Sequence, residues 1–261
     1  MKPSITPRLW APVLALAMGT SLAACGSGGD DEAGSGDDQT LTVLAAASLT
    51  ESFTDLKKEF EADHEGVKVK LVFDSSAALA ELAEQGAPGD VLATADKRTM
   101  DEAEANDGTG SDPQQFATNV VTLAVPSANP GKITSFADIA KPGVSYVVCV
   151  PSAPCGAASQ TLLKSNKITA KPASEETDVK AVLAKVTANE ADAGLVYATD
   201  VTSAGDDVKG IEVPGAAADP NTYWVAQTSN AKAKDLAGDW IDLMRGADGK
   251  KVLTAAGFGT S

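Results

Sequence analysis

Residues 41–80, LTVLAAASLTESFTDLKKEFEADHEGVKVKLVFDSSAALA, contain two consecutive strand–helix units. The apolar run 41–46 is typical of a buried strand, and Phe53, Leu56 and Phe60 then recur at helical spacing. A second apolar run, 67–73, precedes another helical pattern. This alternation predicts an α/β protein with mainly parallel sheets covered by helices.

The same alternation extends along the rest of the chain. Further strands are predicted at 91–94, 120–125, 146–150 and 194–197. Apolar residues recur at helical spacing in two more groups, Leu79, Leu82 and Ala83, and Val179, Val182, Leu183 and Val186. Ligands of such sheets bind at the carboxyl ends of strands, where helices begin. The junctions after the strands are therefore the places to look for a site.

Composition excludes several classes of function. The 261 residues include 36 acidic and 21 basic side chains, a formal charge of −15, which disfavours nucleic-acid binding. His64 is the single histidine of the sequence, so a histidine-based metal site or catalytic triad is not expected. Arg98 and Arg245 lie away from the junctions, which argues against an amino-acid binder. Because no histidine-based catalytic triad is expected, we predict that the protein is not an enzyme.

The N-terminal segment is read as an export signal. Lys2 and Arg8 precede an apolar stretch too short to span a bilayer, and Leu22-Ala23-Ala24-Cys25 resembles a bacterial lipobox. Residues 1–24 are predicted to be a lipoprotein signal peptide, and residues 25–40 a lipidated Cys25 with a flexible acidic linker. The predicted location is extracytoplasmic, lipid-anchored to the outer face of the cell membrane. An ordinary signal peptide cleaved near Ala24 is the alternative.

Two further cysteines, Cys149 and Cys155, bracket the short segment CVPSAPC. An even pair in an oxidising compartment favours a disulfide between them. Two separate buried thiols are the alternative.

The strand-to-helix junctions carry candidate anion donors. Helix N-termini present free backbone N–H groups, and several that converge form an anion site without an arginine. Ser48 and Ser76 lie at two junctions, but either serine could simply cap a helix, and Ser48 with Glu51 matches a capping box. Tyr197, at the end of a predicted strand, could equally be a half-buried residue whose hydroxyl reaches water.

A series of motifs spans the whole domain in order. They are residues 45–50 (AAASLT), 73–80 (FDSSAALA), 86–91 (GAPGDV), 95–96 (AD), 154–156 (PCG), 178–180 (DVK), 194–197 (GLVY) and 257–258 (GF). In order and spacing the set resembles the bacterial molybdate-binding proteins that serve ABC transporters. One departure is that Cys155 stands where the family motif has alanine, after a loop about one residue short.

The resemblance implies a two-lobe periplasmic-binding-protein fold of type II, with the ligand in the cleft between the lobes. Lobe I would comprise residues 41–121 and 225–261, and lobe II residues 122–224. The implied oxyanion-binding set is Ser48, Ser76, Cys155, Val179 and Tyr197. Ser48, Ser76 and Tyr197 would donate side-chain hydrogen bonds, and Cys155 and Val179 their backbone amides. If bridged to Cys149, Cys155 would sit on a loop fixed by that bond.

The implied function is high-affinity binding of molybdate, and of tungstate as a near-isosteric anion, for delivery to an ABC permease in the membrane. The alternative is a binding protein of the same fold for sulfate or another tetrahedral oxyanion. No cofactor is expected, and molybdenum would be held as its oxyanion, with no protein group coordinating the metal directly. The protein would work as a monomer.

Overall fold

A computed structural model describes residues 39–260 of the chain. The predicted signal peptide, Cys25 and nearly all of the predicted linker lie outside the described residues. The strands are β1 (Gln39–Ala46), β2 (Val67–Asp74), β3 (Val91–Thr94), β4 (Gln114–Asn119), β5 (Val121–Pro126), β6 (Tyr146–Cys149), β7 (Ser174–Glu176), β8 (Ala193–Tyr197), β9 (Val208–Glu212), β10 (Asn221–Gln227) and β11 (Gly259–Thr260).

The helices alternate with these strands. They are α1 (Thr50–Asp63), α2 (Ser76–Glu84), α3 (Lys97–Ala105), α4 (Pro154–Ser165), α5 (Val179–Thr187), α6 (Ala198–Ala204), α7 (Lys234–Arg245) and α8 (Ala247–Ala255). Short 3₁₀ turns occupy Ala47–Leu49, Phe136–Ala140, Gly205–Asp207 and Ala216–Ala218. Each strand predicted from the sequence is present. The first begins at Gln39, so the predicted linker is two residues too long at its C-terminal end.

The strands form two sheets that share one plan. The first has the order β11-β4-β10-β3-β1-β2 and the second the order β7-β6-β8-β5-β9. In each sheet, three neighbouring strands pair in parallel. A fourth strand, β10 in the first sheet and β5 in the second, pairs antiparallel with the strand at one edge of these three. The two-lobe α/β fold is therefore confirmed. The expectation of mainly parallel sheets is corrected to mixed sheets.

The chain crosses between the sheets twice. It leaves the first sheet at the end of β4 and enters the second at β5, with Val120 between them. It returns before β10, which pairs with β3 and β4 of the first sheet. The predicted boundary between residues 224 and 225 falls inside β10, so the second crossing lies before Asn221. Lobe I contains the first sheet and lobe II contains the second.

Helices bury apolar faces against both sheets. In lobe I, Phe53 and Phe60 of α1 meet Trp240 of α7 edge to face, with ring centroids 5.6 and 5.4 Å apart. In lobe II, the predicted face of α5, including Val182, is buried. One predicted core residue is wrong, since Leu82 of α2 is exposed. Over residues 39–260, no helix combines the length and apolar character needed to cross a bilayer.

Candidate functional site

Four of the five predicted binding residues line one small cavity between the lobes. Ser48 reaches it from lobe I, and Cys155, Val179 and Tyr197 reach it from lobe II. All four residues are buried. The free volume, about 10 Å³, is about what one water molecule needs, so the lobes are in close contact here.

Ser48 makes a contact that the capping-box interpretation did not predict. It lies in the 3₁₀ turn after β1, and α1 has no side-chain cap at its N-terminus. Its hydroxyl instead lies 2.8 Å from the hydroxyl of Tyr223. Glu51, the other half of the predicted capping box, pairs with Lys180. The capping-box alternative for Ser48 is therefore wrong.

At the start of α2 the two serines have different positions. Ser75 caps the helix by accepting a hydrogen bond from the amide of Ala78, and Ser75 also lines the cavity. Ser76 is buried, and its hydroxyl accepts a hydrogen bond of 2.8 Å from the amide of Ala95. The predicted residue Ser76 is thus not among the cavity-lining residues, whereas its neighbour Ser75 is.

The start of α4 presents the backbone amide of Cys155, which has no hydrogen-bond partner among residues 39–260. Pro154, the first residue of the helix, has no N–H group, and the amide of Gly156 donates to the carbonyl of Ala153. Cys155 is joined to Cys149 at the end of β6 by a disulfide, with their Cα atoms 5.7 Å apart. A Cβ atom at position 156 would overlap the carbonyl of Val150, so only glycine fits beside this amide.

The start of α5 presents the amide of Val179 in the same way. Asp178 caps the helix, and its Oδ1 accepts hydrogen bonds from the amides of Lys180 and Ala181, at 2.8 and 3.0 Å. Among the orphan amides of the first turn, that of Val179 is left for the cavity. Its side chain is buried in the core of lobe II, so only its backbone can serve a ligand.

The hydroxyl of Tyr197 is the polar atom of the cavity that points most directly to a ligand. The residue ends β8 and is 1% exposed, so the alternative in which its hydroxyl reaches water is wrong. Within the described part of the chain, that hydroxyl has no hydrogen-bond partner. Burial, together with the nearby Tyr223, raises the pKa of Tyr197 well above its usual range. The group is therefore a neutral donor.

Sequence reasoning missed a group of residues directly behind Ser48. Tyr223 of β10 contacts Ser48, and Asn119 at the end of β4 lies 3.4 Å from the Tyr223 hydroxyl. Asn119 also donates a hydrogen bond of 2.8 Å to Thr199 of lobe II. No sequence motif marks these residues, because Tyr223 and Ser48 are 175 positions apart.

Comparisons with known proteins identify the family of the chain. The family model for bacterial extracellular solute-binding proteins matches residues 41–259. The chain belongs to this family. The molybdate-binding protein ModA of Mycobacterium tuberculosis is 38% identical over 240 residues, which cover 91% of this chain and 92% of that protein. The resemblance inferred from the sequence motifs is thereby confirmed.

Two solved structures share the fold of this solute-binding protein. The periplasmic molybdate-binding protein of Azotobacter vinelandii superposes with a TM-score of 0.75 at 20% identity, covering 85% of this chain and 99% of that one. The sulfate-binding protein SubI of Mycobacterium tuberculosis gives a TM-score of 0.70 at 17% identity, covering 84% and 86%. At such identities the likeness concerns the fold alone.

A charged cluster joins the two lobes of the binding protein next to the cavity. Lys180 of α5 lies 2.8 Å from Glu51 of α1 and 3.1 Å from the buried Asp200 of α6. Burial opposes the charge of Lys180, but Asp200 and Glu51 outweigh it and leave the pKa of Lys180 raised. For Asp200, burial dominates and raises the pKa to about 6. Lys180 thus links lobe I to lobe II.

A larger groove also reaches Ser48, but its charge is wrong for an anion. The groove, about 400 Å³, is lined by α1, α6 and α8. Its charged lining residues are four carboxylates, Glu51, Asp55, Glu59 and Asp248, and one basic side chain, Lys251. Among residues 39–260, no cluster of His, Cys, Asp or Glu side chains has the arrangement of a metal site. The small cavity with its neutral donors is therefore the candidate site.

Proposed function

We propose that this protein captures molybdate, and tungstate equally, outside the cytoplasm and delivers it to an ABC permease. The observation that carries the proposal is the buried hydroxyl of Tyr197, which faces the cavity without a partner among the described residues. An unpaired buried hydroxyl costs about 1–3 kcal/mol. A ligand that accepts its hydrogen bond offsets that cost.

The donors of the cavity suit a tetrahedral dianion. The hydroxyls of Ser48 and Tyr197 and the amides of Cys155 and Val179 are neutral, so no full counter-charge has to be buried. Asp178 also lines the cavity, but its Oδ1 is occupied by two amides. Phosphate and arsenate carry a proton near neutral pH, which would meet donors rather than acceptors. These anions are expected to bind poorly.

The relatives support molybdate as the first candidate. The relative from Mycobacterium tuberculosis that is 38% identical is named a molybdate-binding protein. Sulfate is likewise unprotonated at neutral pH, so the size of the cavity alone would separate it from molybdate. The sulfate-binding SubI shares only the fold at 17% identity, so sulfate remains the second candidate. Molybdate and tungstate differ little in size, and we expect little discrimination between them.

Delivery requires the lobes to move. The cavity has room for about one water molecule and a tetrahedral oxyanion is larger, so the lobes must separate to admit it and then close around it. The closed, loaded state is the form that a permease would recognise. The protein performs no chemistry on the anion and acts as a monomer, since one chain supplies both walls of the cavity.

Anchoring is proposed from the N-terminal sequence. Leu22-Ala23-Ala24-Cys25 and the acidic segment that follows fit a lipid-modified Cys25 and a tether to the outer face of the cell membrane. The Cys25→Ser variant should lose its lipid and leave the detergent phase, or stay unprocessed. A variant that is processed and still partitions into the detergent phase like the wild type would contradict the lipid anchor.

Titration calorimetry against molybdate, tungstate, sulfate, phosphate and common amino acids tests the proposed ligand. The expected result is tight binding of molybdate and tungstate, weaker binding of sulfate, poor binding of phosphate and no binding of amino acids. Thermal shift provides a second readout, because ligand at about 100 times Kd adds about 2.7 kcal/mol of stability. Sulfate binding tighter than molybdate would favour the alternative, and binding of none of the three dianions would refute the proposal.

A further inference from the structure

A chain of buried hydrogen bonds leads from the first crossing of the lobes to Ser48. Its members are Asn119, Tyr223 and Ser48, which are 1%, 0% and 4% exposed. The Tyr223 hydroxyl lies 2.8 Å from Ser48 Oγ and 3.4 Å from Asn119 Nδ2. Since solvent does not reach these groups, the direction of each hydrogen bond is set by the neighbouring protein groups.

The orientation of the Asn119 amide fixes the first direction. The backbone N–H of Val120 lies 2.9 Å from Asn119 Oδ1, and a backbone N–H can only donate. The amide oxygen must therefore face Val120. The NH₂ group then faces Thr199 Oγ1, at 2.8 Å, and the hydroxyl of Tyr223. This NH₂ group has no accepting capacity, so the Tyr223 oxygen accepts.

The second hydrogen bond joins two hydroxyls, each of which can donate or accept. Because Asn119 already donates to the Tyr223 oxygen, one of its lone pairs is occupied, which favours the arrangement in which Tyr223 donates its proton to Ser48 Oγ. In that arrangement Ser48 does not spend its own proton on Tyr223, and Ser48 lines the cavity.

We infer that Asn119 and Tyr223 are positioning residues that orient the Ser48 hydroxyl so that it offers the cavity a proton and not a lone pair. This inference rests on the proposed function, since it concerns the selectivity of the same site. With the Ser48 hydroxyl free to turn, it could accept a proton from a protonated oxyanion. With Tyr223 donating to it, one lone pair of Ser48 Oγ is occupied and its proton is available to the cavity, which favours anions that carry no proton.

A double-mutant cycle tests whether Tyr223 acts through Ser48. The variants are Tyr223→Phe, Ser48→Ala and the double substitution, titrated with whichever of molybdate, tungstate and sulfate binds the wild type most tightly. Tyr223→Phe should weaken binding about threefold to tenfold, the effect of one hydrogen bond. In the Ser48→Ala background, Tyr223→Phe should weaken binding no further, because the hydroxyl on which it acts is gone.

Tyr146→Phe is the matched control. Tyr146 is also a fully buried tyrosine, and its hydroxyl donates to the carbonyl of Ala170 in lobe II, away from the cavity. Its loss should lower the melting temperature and leave the affinity unchanged. Should Tyr223→Phe fail to fold, Asn119→Ala replaces it in the cycle, because it frees Tyr223 to turn and should show the same dependence on Ser48.

Competition with hydrogen phosphate measures a ratio of affinities, which would not change if Tyr223 only stabilised the fold. The ratio of phosphate to molybdate affinity should rise at least about threefold in Tyr223→Phe, since Ser48 can then accept. Additive losses in the cycle, or an unchanged ratio, overturn the inference while the proposed function stands. A wild-type protein that binds none of the three dianions overturns both.

Discussion

Tyr197 is the residue at which stability and ligand binding make opposite demands. A buried hydroxyl without a partner among the described residues lowers the stability of the fold, yet the same hydroxyl is the donor that an oxyanion would use. Val179 shows the reverse arrangement. Its side chain packs in the core of lobe II, whereas its backbone lies at the cavity. Substitutions at these two residues should therefore separate folding from binding.

Tyr197→Phe removes the donor and keeps the ring. A hydrogen bond to a charged group contributes about 1.5–3 kcal/mol, so the affinity for molybdate should fall about 10- to 100-fold. The free energy of unfolding without ligand should stay the same or rise, because no hydrogen bond to protein is lost. Titration calorimetry and urea unfolding measure the two quantities.

Val179→Ala is the matched control for this prediction. It keeps the amide but deletes buried methyl groups, so it should cost about 2 kcal/mol of stability and change the affinity less than about threefold. If Tyr197→Phe bound molybdate as tightly as the wild type, the ligand would lie elsewhere.

Residues whose role depends on local sequence were the ones that could be predicted. Cys155 and Val179 each lie at a helix start after a strand, and that position alone places their amides at the ligand-binding edge of the sheet. Asn119 and Tyr223 acquire their role only when β4 and β10 meet the turn after β1. No local pattern encodes that meeting, so sequence reasoning could not find them.

The same distinction holds for whole elements. The strands predicted from sequence include β3, β6 and β8, which are fully buried and almost entirely apolar. In contrast, β4 and β10 read QQFATN and NTYWVAQ, with polar residues on partly exposed faces. Such antiparallel strands carry a weaker apolar signal than parallel strands covered on both faces. In lobe I they are also the strands that make the sheet mixed.

The disulfide between β6 and α4 belongs to this scale because it fixes the start of a helix. Replacing both Cys149 and Cys155 by alanine removes a short closed loop, which should cost about 2 kcal/mol of stability. The amide at position 155 remains but is less fixed, so the affinity for molybdate should fall a few-fold. Reduced wild-type protein should behave like the variant.

Peptide mapping without reductant checks the link directly, and Cys149 and Cys155 should be recovered in one cross-linked peptide. Quantitative alkylation of both thiols in unreduced protein would show that the bond is absent. Equal stability of the variant and the wild type would show that the bond contributes nothing to the fold.

At the scale of the whole molecule, Lys180 connects the lobes through Glu51 on one side and Asp200 on the other. Glu51 is half-exposed, so its pair with Lys180 is screened by solvent and can break when the lobes separate. Asp200 is buried within lobe II and also accepts a hydrogen bond of 2.9 Å from the amide of Tyr197. The cluster thus combines a contact that can open with one that is retained.

Asp200 should give the stability of the molecule a distinct dependence on pH. Burial raises its pKa in the folded protein to about 6, above the unfolded value of 3.8. The folded state therefore holds the proton more tightly, and its stability falls as the pH rises through this interval. The contribution is fully present below about pH 4, and about 2 kcal/mol is lost between about pH 4 and pH 6. Asp200→Asn removes this term and leaves the other carboxylates in place.

Urea unfolding of wild type and Asp200→Asn across this pH range isolates the contribution of Asp200. The difference in free energy of unfolding, wild type minus variant, should decrease by about 2 kcal/mol from pH 4 to pH 6 and then level off. Asp138→Asn is a contrasting control, because hydrogen bonds from Lys141 and Thr134 hold the pKa of Asp138 below its usual range. Its carboxylate stabilises the fold above about pH 4, and that stability is lost only as the pH falls below this range, so the difference for Asp138→Asn should stay nearly constant from pH 4 to pH 6. A difference for Asp200→Asn that stays constant with pH would mean that Lys180 keeps Asp200 ionised throughout and that the pair, rather than burial, controls its charge.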